Sequence, residues 1–405
     1  MKILNFGSCN IDFVYTLDHI VKAGETETTY RLETFPGGKG LNQSIALARA
    51  GAKVFHAGCI GNDGSMLLET LKDSGVDVSY MKAVDTKNGH AIIQVSSQGE
   101  NSIFLYPGSN VMVSESYVDC VLKDFSKDDI ILLQNEINNV GYIIDKAFEK
   151  KMQIVLNPSP FNEQISNIDL KKITYLVLNE VEAEEYTGYK EPEKILAYFD
   201  ENYPQLKVML TLGGNGCVYS FGKLKERHPV FDVSVVDTTA AGDTFTGYFI
   251  SGISRGEDIS KVLKFASAAA AISVSREGAA PSIPDLDYVE SKIDSMQLKL
   301  KRSNPMKKIE AYCKENLSDI SLIKLSGHMG YTAVYTGNLI KKHYGKNFSE
   351  FIQDLRCAVA AEYLRETDIP VGVIINTVGY ENGSFFRKIF KNRYGLNPLD
   401  YRKRN

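Results

Sequence analysis

At 405 residues, with 43% hydrophobic and 24% charged residues, the chain is long enough for at least two domains with full cores. Six scattered cysteines (Cys9, Cys59, Cys120, Cys217, Cys313, Cys357), without a Cys-x-x-Cys pair or a histidine cluster, argue against a disulfide framework and a zinc site; the lack of a signal-like or membrane-length apolar run points to a cytoplasmic protein with no membrane partner. The formal net charge of −4 hides an asymmetry, 16 Lys and Arg against 10 Asp and Glu in residues 305–405 but 30 against 40 in residues 1–304, so the basic end is the part suited to a polyanion.

Residues 1–285 alternate short apolar runs with amphipathic stretches, the pattern of βαβ units in a parallel sheet. Strands are expected over Ile3–Ser8, Lys53–Cys59, Ile130–Gln134, Gln153–Asn157, Tyr175–Leu178 and Val208–Leu212, and helices over Asn42–Ala50, Ser65–Ser74, Val140–Lys150, Pro192–Tyr203 and Ile259–Ser275. Asn10 and Asp12 follow the first strand, where polar side chains either face the ligand crevice of an open α/β sheet or simply make a turn. Next comes Pro36-Gly37-Gly38-Lys39-Gly40-Leu41-Asn42-Gln43, whose glycines let the backbone approach a ligand closely while Lys39 and Asn42 supply donors.

The stretch from Val233 to Gly247 reads as strand, tight turn and helix start, with Ala240, Ala241 and Gly242 leaving amides uncovered for a phosphate or oxyanion. Asp243 beside such an anion hole is either a favourable first-turn acid or a base for a hydroxyl that attacks a phosphoryl group.

Asp237-Thr238-Thr239-Ala240-Ala241-Gly242-Asp243-Thr244-Phe245 resembles the C-terminal signature of the PfkB sugar-kinase family, and Gly37-Gly38-Lys39-Gly40-Leu41-Asn42-Gln43 its N-terminal one. The resemblance runs from the first strand to about residue 284 and takes in Gly24 to Thr26, the Gly108/Asn110 turn and Asn157-Pro158. It implies a ribokinase-like doubly wound α/β sheet, with a small β-sheet lid from about 13–35 and 89–108 that closes over the sugar and pairs two subunits as a homodimer. By the same resemblance Asn10, Asp12, Gly38, Lys39, Asn42 and Glu136 hold sugar hydroxyls, and Asp243 is the base beside the Ala240, Ala241 and Gly242 amides. Asn179, Thr211, Gly213, Gly216 and Ser267 fall on the ATP side, Glu182 at Mg²⁺ through water, and Asp237, Thr239, Ser273, Arg276, Gly278 and Ser282 around K⁺. Without the resemblance, the acids of Asn179-Glu180-Val181-Glu182 read most simply as a solvated helix start.

Residues 285–304 are charged and poor in apolar clusters, which predicts a linker, partly helical. Beyond Pro305 two similar modules follow, each a helix, a Gly-Tyr turn (Gly330-Tyr331, then Gly379-Tyr380), a basic amphipathic helix and Tyr-Gly; this is the layout of an all-α domain with two helix-turn-helix units. A joining helix over Phe348–Thr367 would span roughly 30 Å at 1.5 Å per residue. Gly379-Tyr380-x-x-x-Ser384-x-Phe386-x-x-x-Phe390-Lys391 and Gly395-x-x-Pro398-x-x-Tyr401-Arg402 resemble the AraC-type DNA-binding domain over residues 306–404. This implies DNA contacts from Asn338, Lys341, Ser384, Arg387, Lys388 and Lys391, with Phe386, Phe390 and Tyr394 assigned to packing. The first module departs from the family pattern, because Gly337 and Asn338 stand where an Arg is usual.

The expectation is therefore an ATP-dependent kinase of a furanose-type sugar, ribose first, over residues 1–284, and a DNA-binding regulator over residues 305–405. Its rivals are a catalytically silent sugar sensor, a kinase whose tail serves only dimerisation, and a kinase for deoxyribose, a nucleoside or a ketofuranose.

Overall fold

A computed structural model describes residues 1–97, 101–299, 305–329, 333–380 and 382–404. The Gly330-Tyr331 turn and residues 300–304 of the expected linker lie outside these. The chain divides into two compact units, Met1–Lys299 and Leu300–Asn405.

In chain order the strands of the first unit are β1 Ile3–Phe6, β2 Asn10–Leu17, β3 Arg31–Gly37, β4 Val54–Ile60, β5 Asp77–Ala83, β6 Gly89–Ser96, β7 Asn101–Tyr106, β8 Ile130–Gln134, β9 Gln153–Asn157, β10 Tyr175–Asn179, β11 Lys207–Thr211, β12 Cys217–Phe221 and β13 Leu224–His228. Nine of them form one sheet in the order β13-β12-β11-β10-β9-β8-β1-β4-β5; it is parallel except for the β12 and β13 edge. Its central strands are continuously apolar because both faces are covered. Ile3, Ile130 and Leu132 pack on one side with helices Lys39–Arg49, Ala241–Ser254 and Ile259–Val274, and Leu4, Ile131 and Leu133 on the other with Val140–Glu149 and Pro192–Asn202.

The six strands and five helices read from the sequence are present, with ends shifted by up to three residues. Three expectations are corrected. Val233–Val236 is not a strand: its amide at Val236 donates to Val274 O (2.8 Å), the end of a helix, so this β-branched run has no strand partner. Within the expected lid segment 13–35, residues 18–30 form no strand, and strand pairing resumes only at Arg31. The segment 285–299 is not a linker but part of the first unit, since helix Leu286–Ile293 buries Val289 and Ile293 in its core and Lys299 N reaches Val230 O at 2.8 Å. Two apolar residues four apart suffice to seat a helix, and the charges on its other faces concealed them.

The smaller sheet has the order β3-β2-β6-β7. It begins at Asn10 rather than near residue 13, so Asn10 and Asp12 are lid residues themselves.

In the second unit the described helices are Pro305–Glu315, Leu322–Met329, Ala333–Tyr344, Phe348–Glu366, Val371–Thr377, Gly383–Tyr394 and Pro398–Arg404. The long central helix starts in a capping box, with Glu350 N donating to Asn347 Oδ1 (3.0 Å) and Asn347 N to Glu350 Oε2 (2.9 Å). It feeds two small cores, Phe351 and Ile352 packing with Ile309, Leu325 and Ile340, and Ala360, Ala361 and Leu364 with Ile374, Phe386 and Phe390. Arg356 ties the modules together by donating twice to Leu317 O (3.0 and 2.6 Å). Gly379, at φ +87°, lies so close that an added Cβ would come within 2.6 Å of the same carbonyl.

Candidate active site

The chain reverses at Ala240, a non-glycine residue in the left-handed region (φ 58°), and helix Ala241–Ser254 starts there with Thr244 N on Ala240 O at 2.8 Å. Among the described residues the amides of Ala240 and Gly242 have no acceptor, whereas the Ala241 amide is taken up by Thr238 O at 3.3 Å. The anion hole read from the sequence thus retains two of its three donors. Asp243 follows in the first turn, 8% exposed, and its carboxylate accepts from Asn42 Nδ2 (3.1 Å, on Oδ2) and from Gln43 Nε2 (2.8 Å, on Oδ1).

Asp243 opens on a cavity of about 260 Å³ that Lys39, Asn179, Glu182, Thr211, Ala240 and Gly242 also line. Asn179 caps helix Glu180–Thr187 by accepting from the amides of Val181 and Glu182 (2.9 Å each), and Glu182 Oε2 returns a bond from Asn179 N (3.0 Å). Glu182 is nevertheless only 7% exposed, so it is no solvated helix start. With Asn179 Oδ1 spent on the cap, Glu182 Oε1 remains as the carboxylate oxygen able to face a hydrated cation; this suits Mg²⁺ held through water.

A second cavity, of about 380 Å³, is lined by Asn10, Asn110, Glu136 and, from the lid, Leu105 and Tyr106. Asn110 Nδ2 donates to Asn10 Oδ1 (2.7 Å), and Glu136 Oε2 accepts from Ser8 Oγ and from Lys39 N (2.9 Å). Lys39 links the two spaces electrostatically. Burial works to lower its ammonium pKa, but Asp243, Glu136 and Glu182 outweigh that and leave it raised. Glu136 is raised by burial despite Lys39, and Asp12 is pushed up to about 7 by burial and by the Glu136 charge.

Other expected site residues are placed differently. Asp12 lines neither cavity; it lies over Gly37, where an added Cβ would meet its Oδ2 at 2.0 Å. Gly38, at φ +92°, sits against Asn10 N, 3.0 Å from an added Cβ. Asn42 is buried, with Oδ1 unpartnered. Gly213 is an exposed turn residue, Gly216 is a packing glycine whose Cβ would strike His228 O at 2.1 Å, and Ser267 is buried beside Cys217 Sγ (3.8 Å); none of the three lines the cavity that holds Asp243.

The segments expected around K⁺ do meet. Asp237 accepts from Thr239 N (2.8 Å) and Thr239 Oγ1 (2.6 Å) on one oxygen and from Gly278 N (3.0 Å) on the other, and Ser273 Oγ lies 2.8 Å from Ser282 Oγ. Burial opposes ionisation of Asp237, but those hydrogen bonds prevail and hold it below the usual carboxylate range. Arg276 stacks over Tyr288, 4.6 Å from the ring centre. The Asp237 side chain thus ties the loop of Thr239 to the loop of Gly278.

Sequence reasoning gave no role to Gln43, Ser8 or Asn110, although Gln43 stands next to Asn42 in the glycine-rich motif. In the second unit, Ser384, Arg387, Lys388 and Lys391 are exposed along helix Gly383–Tyr394, while Phe386 and Phe390 are buried beneath and Tyr394 half-buried. Asn338 and Lys341 are exposed on helix Ala333–Tyr344. No helix among the described residues is long and apolar enough to cross a membrane.

Residues 1–286 match the pfkB family carbohydrate kinase model, and residues 325–404 a helix-turn-helix domain model. The chain is similar to a ribokinase of Bacillus subtilis, 38% identical over 294 residues that cover 71% of this chain and 98% of the relative, and to one of Haemophilus influenzae, 36% identical over 69% and 94%. Among solved structures it resembles a ribokinase of Thermotoga maritima (33% identity, TM-score 0.65, covering 73% of this chain and 99% of that one). It also resembles an Arabidopsis thaliana ribokinase complexed with ribose and ATP (28%, TM-score 0.65, covering 72% and 98%). The chain therefore belongs to the pfkB family of ATP-dependent carbohydrate kinases, and it carries a helix-turn-helix domain of the AraC type after the catalytic unit.

Proposed function

We propose that this protein transfers the γ-phosphoryl group of ATP to a primary hydroxyl of a furanose-type sugar, ribose first, and couples that sugar's metabolism to sequence-specific DNA binding. The observation that carries the kinase half is Asp243: a buried carboxylate fixed by two amides, beside two unpaired backbone N–H groups and in one cavity with Lys39 and Glu182. Asp243 takes the hydroxyl proton, and the alkoxide oxygen attacks phosphorus. The Ala240 and Gly242 amides and the positive end of their helix offset the charge that develops on the transferring group. Asn10, Asp12, Gly38, Lys39, Asn42 and Glu136 remain the sugar-side assignment, carboxylates accepting from ring hydroxyls and amide and ammonium groups donating. Asn179, Thr211, Gly213, Gly216 and Ser267 remain the ATP-side assignment.

Mg²⁺, when bound near Glu182, supplies charge neutralisation of the phosphate oxygens. K⁺ at the loop of Ser273, Arg276, Gly278 and Ser282, tied to Asp237 and Thr239, would order the backbone that leads into Ala240. Initial rates in K⁺ and in a tetraalkylammonium salt at equal ionic strength test this, and equal rates would refute it. A homodimer is read from β7, which exposes Ile103, Phe104, Leu105 and Tyr106 at the lid edge; light scattering at a single-chain mass would count against it.

A coupled assay over pentoses, deoxyribose, hexoses and nucleosides tests the substrate, with ribose expected to show the highest kcat/KM. In the same assay Asp243→Asn should lower kcat by ~10²–10⁴, the scale of a lost general base, while the sugar and ATP still bind.

A further inference from the structure

Behind Asp243 a chain of buried amides runs into the centre of the sheet. Gln43 Nε2 donates to Asp243 Oδ1 (2.8 Å) and to Asn157 Oδ1 (3.1 Å), and Gln43 Oε1 accepts from Gln134 Nε2 (2.7 Å). Gln134 Nε2 also donates to Asn5 Oδ1 (2.9 Å), Asn5 Nδ2 to Gly40 O (2.7 Å), and Asn157 Nδ2 to Val177 O (2.9 Å). Asn5 and Gln43 are 0% exposed and Gln134 1%.

The two ends of a carboxamide are nearly alike in shape, so the direction of such a chain has to come from its partners. Here both termini are backbone carbonyls, which can only accept. Val177 O fixes the nitrogen of Asn157, and Gly40 O the nitrogen of Asn5. Each asparagine then offers an oxygen to its glutamine, which obliges Gln43 and Gln134 to point their nitrogens that way. The second hydrogen of Gln134 goes to Gln43 Oε1, and the second hydrogen of Gln43 is left for Asp243. The face that Gln43 shows the carboxylate is thus dictated by β1, β8, β9 and β10.

We propose that Gln43 is a positioning residue for phosphoryl transfer: anchored by Gln134 and Asn157, it holds the Asp243 carboxylate in one orientation toward the substrate hydroxyl. The proposal rests on the reading of Asp243 as the base. Donors on both oxygens, from Gln43 and Asn42, oppose rotation of the group. Each oxygen keeps a lone pair for the incoming proton. Each donor named here finds an acceptor, while Gln134 Oε1 and Asn42 Oδ1 have no partner, and a side chain tied at this many points resists local rearrangement. In the transfer step the substrate O–H bond breaks with its proton passing to Asp243. The oxygen's electron pair forms the new P–O bond as the bond from the γ-phosphorus to the bridging oxygen of ATP breaks, leaving ADP; Gln43 exchanges no proton.

The test is Gln43→Leu in the full chain, with Gln134→Leu as a second variant one residue further from the base. Gln43→Leu should lower kcat about 10–100-fold, the scale of a small misplacement, with KM for sugar and ATP changed far less. A fall in kcat with KM nearly kept is a split that a merely structural role would not produce. Gln134→Leu should act in the same direction and more weakly, and in an Asp243→Asn background neither substitution should change the residual rate. An unchanged kcat in either folded leucine variant, or a further loss on top of Asp243→Asn, would overturn the proposal. Wild-type turnover in Asp243→Asn alone would instead overturn the base reading on which it rests.

Discussion

In the kinase unit the side chains proposed to handle substrate are withdrawn from water, Asp243, Glu182 and Asn10 being 8%, 7% and 6% exposed and each held by a hydrogen bond. In the helix-turn-helix unit the arrangement is inverted: Ser384, Arg387, Lys388 and Lys391 stand in solvent, and the buried stripe beneath them is Phe386 and Phe390. Phosphoryl transfer needs preorganised groups in a dry pocket, where fixed charges act strongly. DNA recognition needs long side chains free to reach phosphates and base edges. Substitutions in the first region should therefore act through geometry and protonation, and those in the second through loss of a single contact.

The largest expected effect tests whether the two regions have separate cores. Phe386→Ala should cost about 3–5 kcal/mol in its small core, abolishing DNA binding while sugar phosphorylation survives. Thermal melts read alongside both activities would check this, and joint loss of turnover would break the comparison. Arg387→Ala should next lower discrimination between a selected site and random DNA by about 1–3 kcal/mol if it reads a base, with Asn338→Ala doing less. Competition binding at several salt concentrations separates this from a phosphate contact, which would weaken all sequences alike.

The smallest effect concerns protonation in the kinase. Asp12 is raised to about 7, so it is neutral below that pH and a carboxylate above it. If sugar hydroxyls need the charged acceptor, KM for the sugar should rise as pH falls below about 7, by up to roughly tenfold per unit, with no such change above it. A flat KM from pH 5.5 to 8.5 would show that Asp12 is remote from the sugar, as its absence from the cavity lining allows.

The parts of this architecture legible in the sequence are those with a local signal. Apolar runs such as Ile130–Gln134 announce buried parallel strands, and Gly37-Gly38-Lys39-Gly40 announces a close backbone approach. What escaped has a non-local cause. Val233–Val236 has strand composition but finds a helix C-terminus instead of a strand, and Val289 and Ile293 are too few to mark a helix until the core they fill is known. Asn10 and Asp12 pass for a turn because only pairing with Gly37 and Phe35 makes them the start of the lid. Gln43 is invisible as a partner of Asp243, 200 positions away, until α/β packing brings the two helices together.

The most direct test of the account is Asp243→Asn in the full chain, with phosphoryl transfer to ribose and binding to a selected DNA site measured on the same preparation. The account predicts that turnover falls by ~10²–10⁴ while the DNA affinity without sugar stays as in the unmodified protein. Near-unchanged turnover would contradict the assignment of Asp243 as the base and, with it, the mechanism built around the Ala240–Asp243 turn.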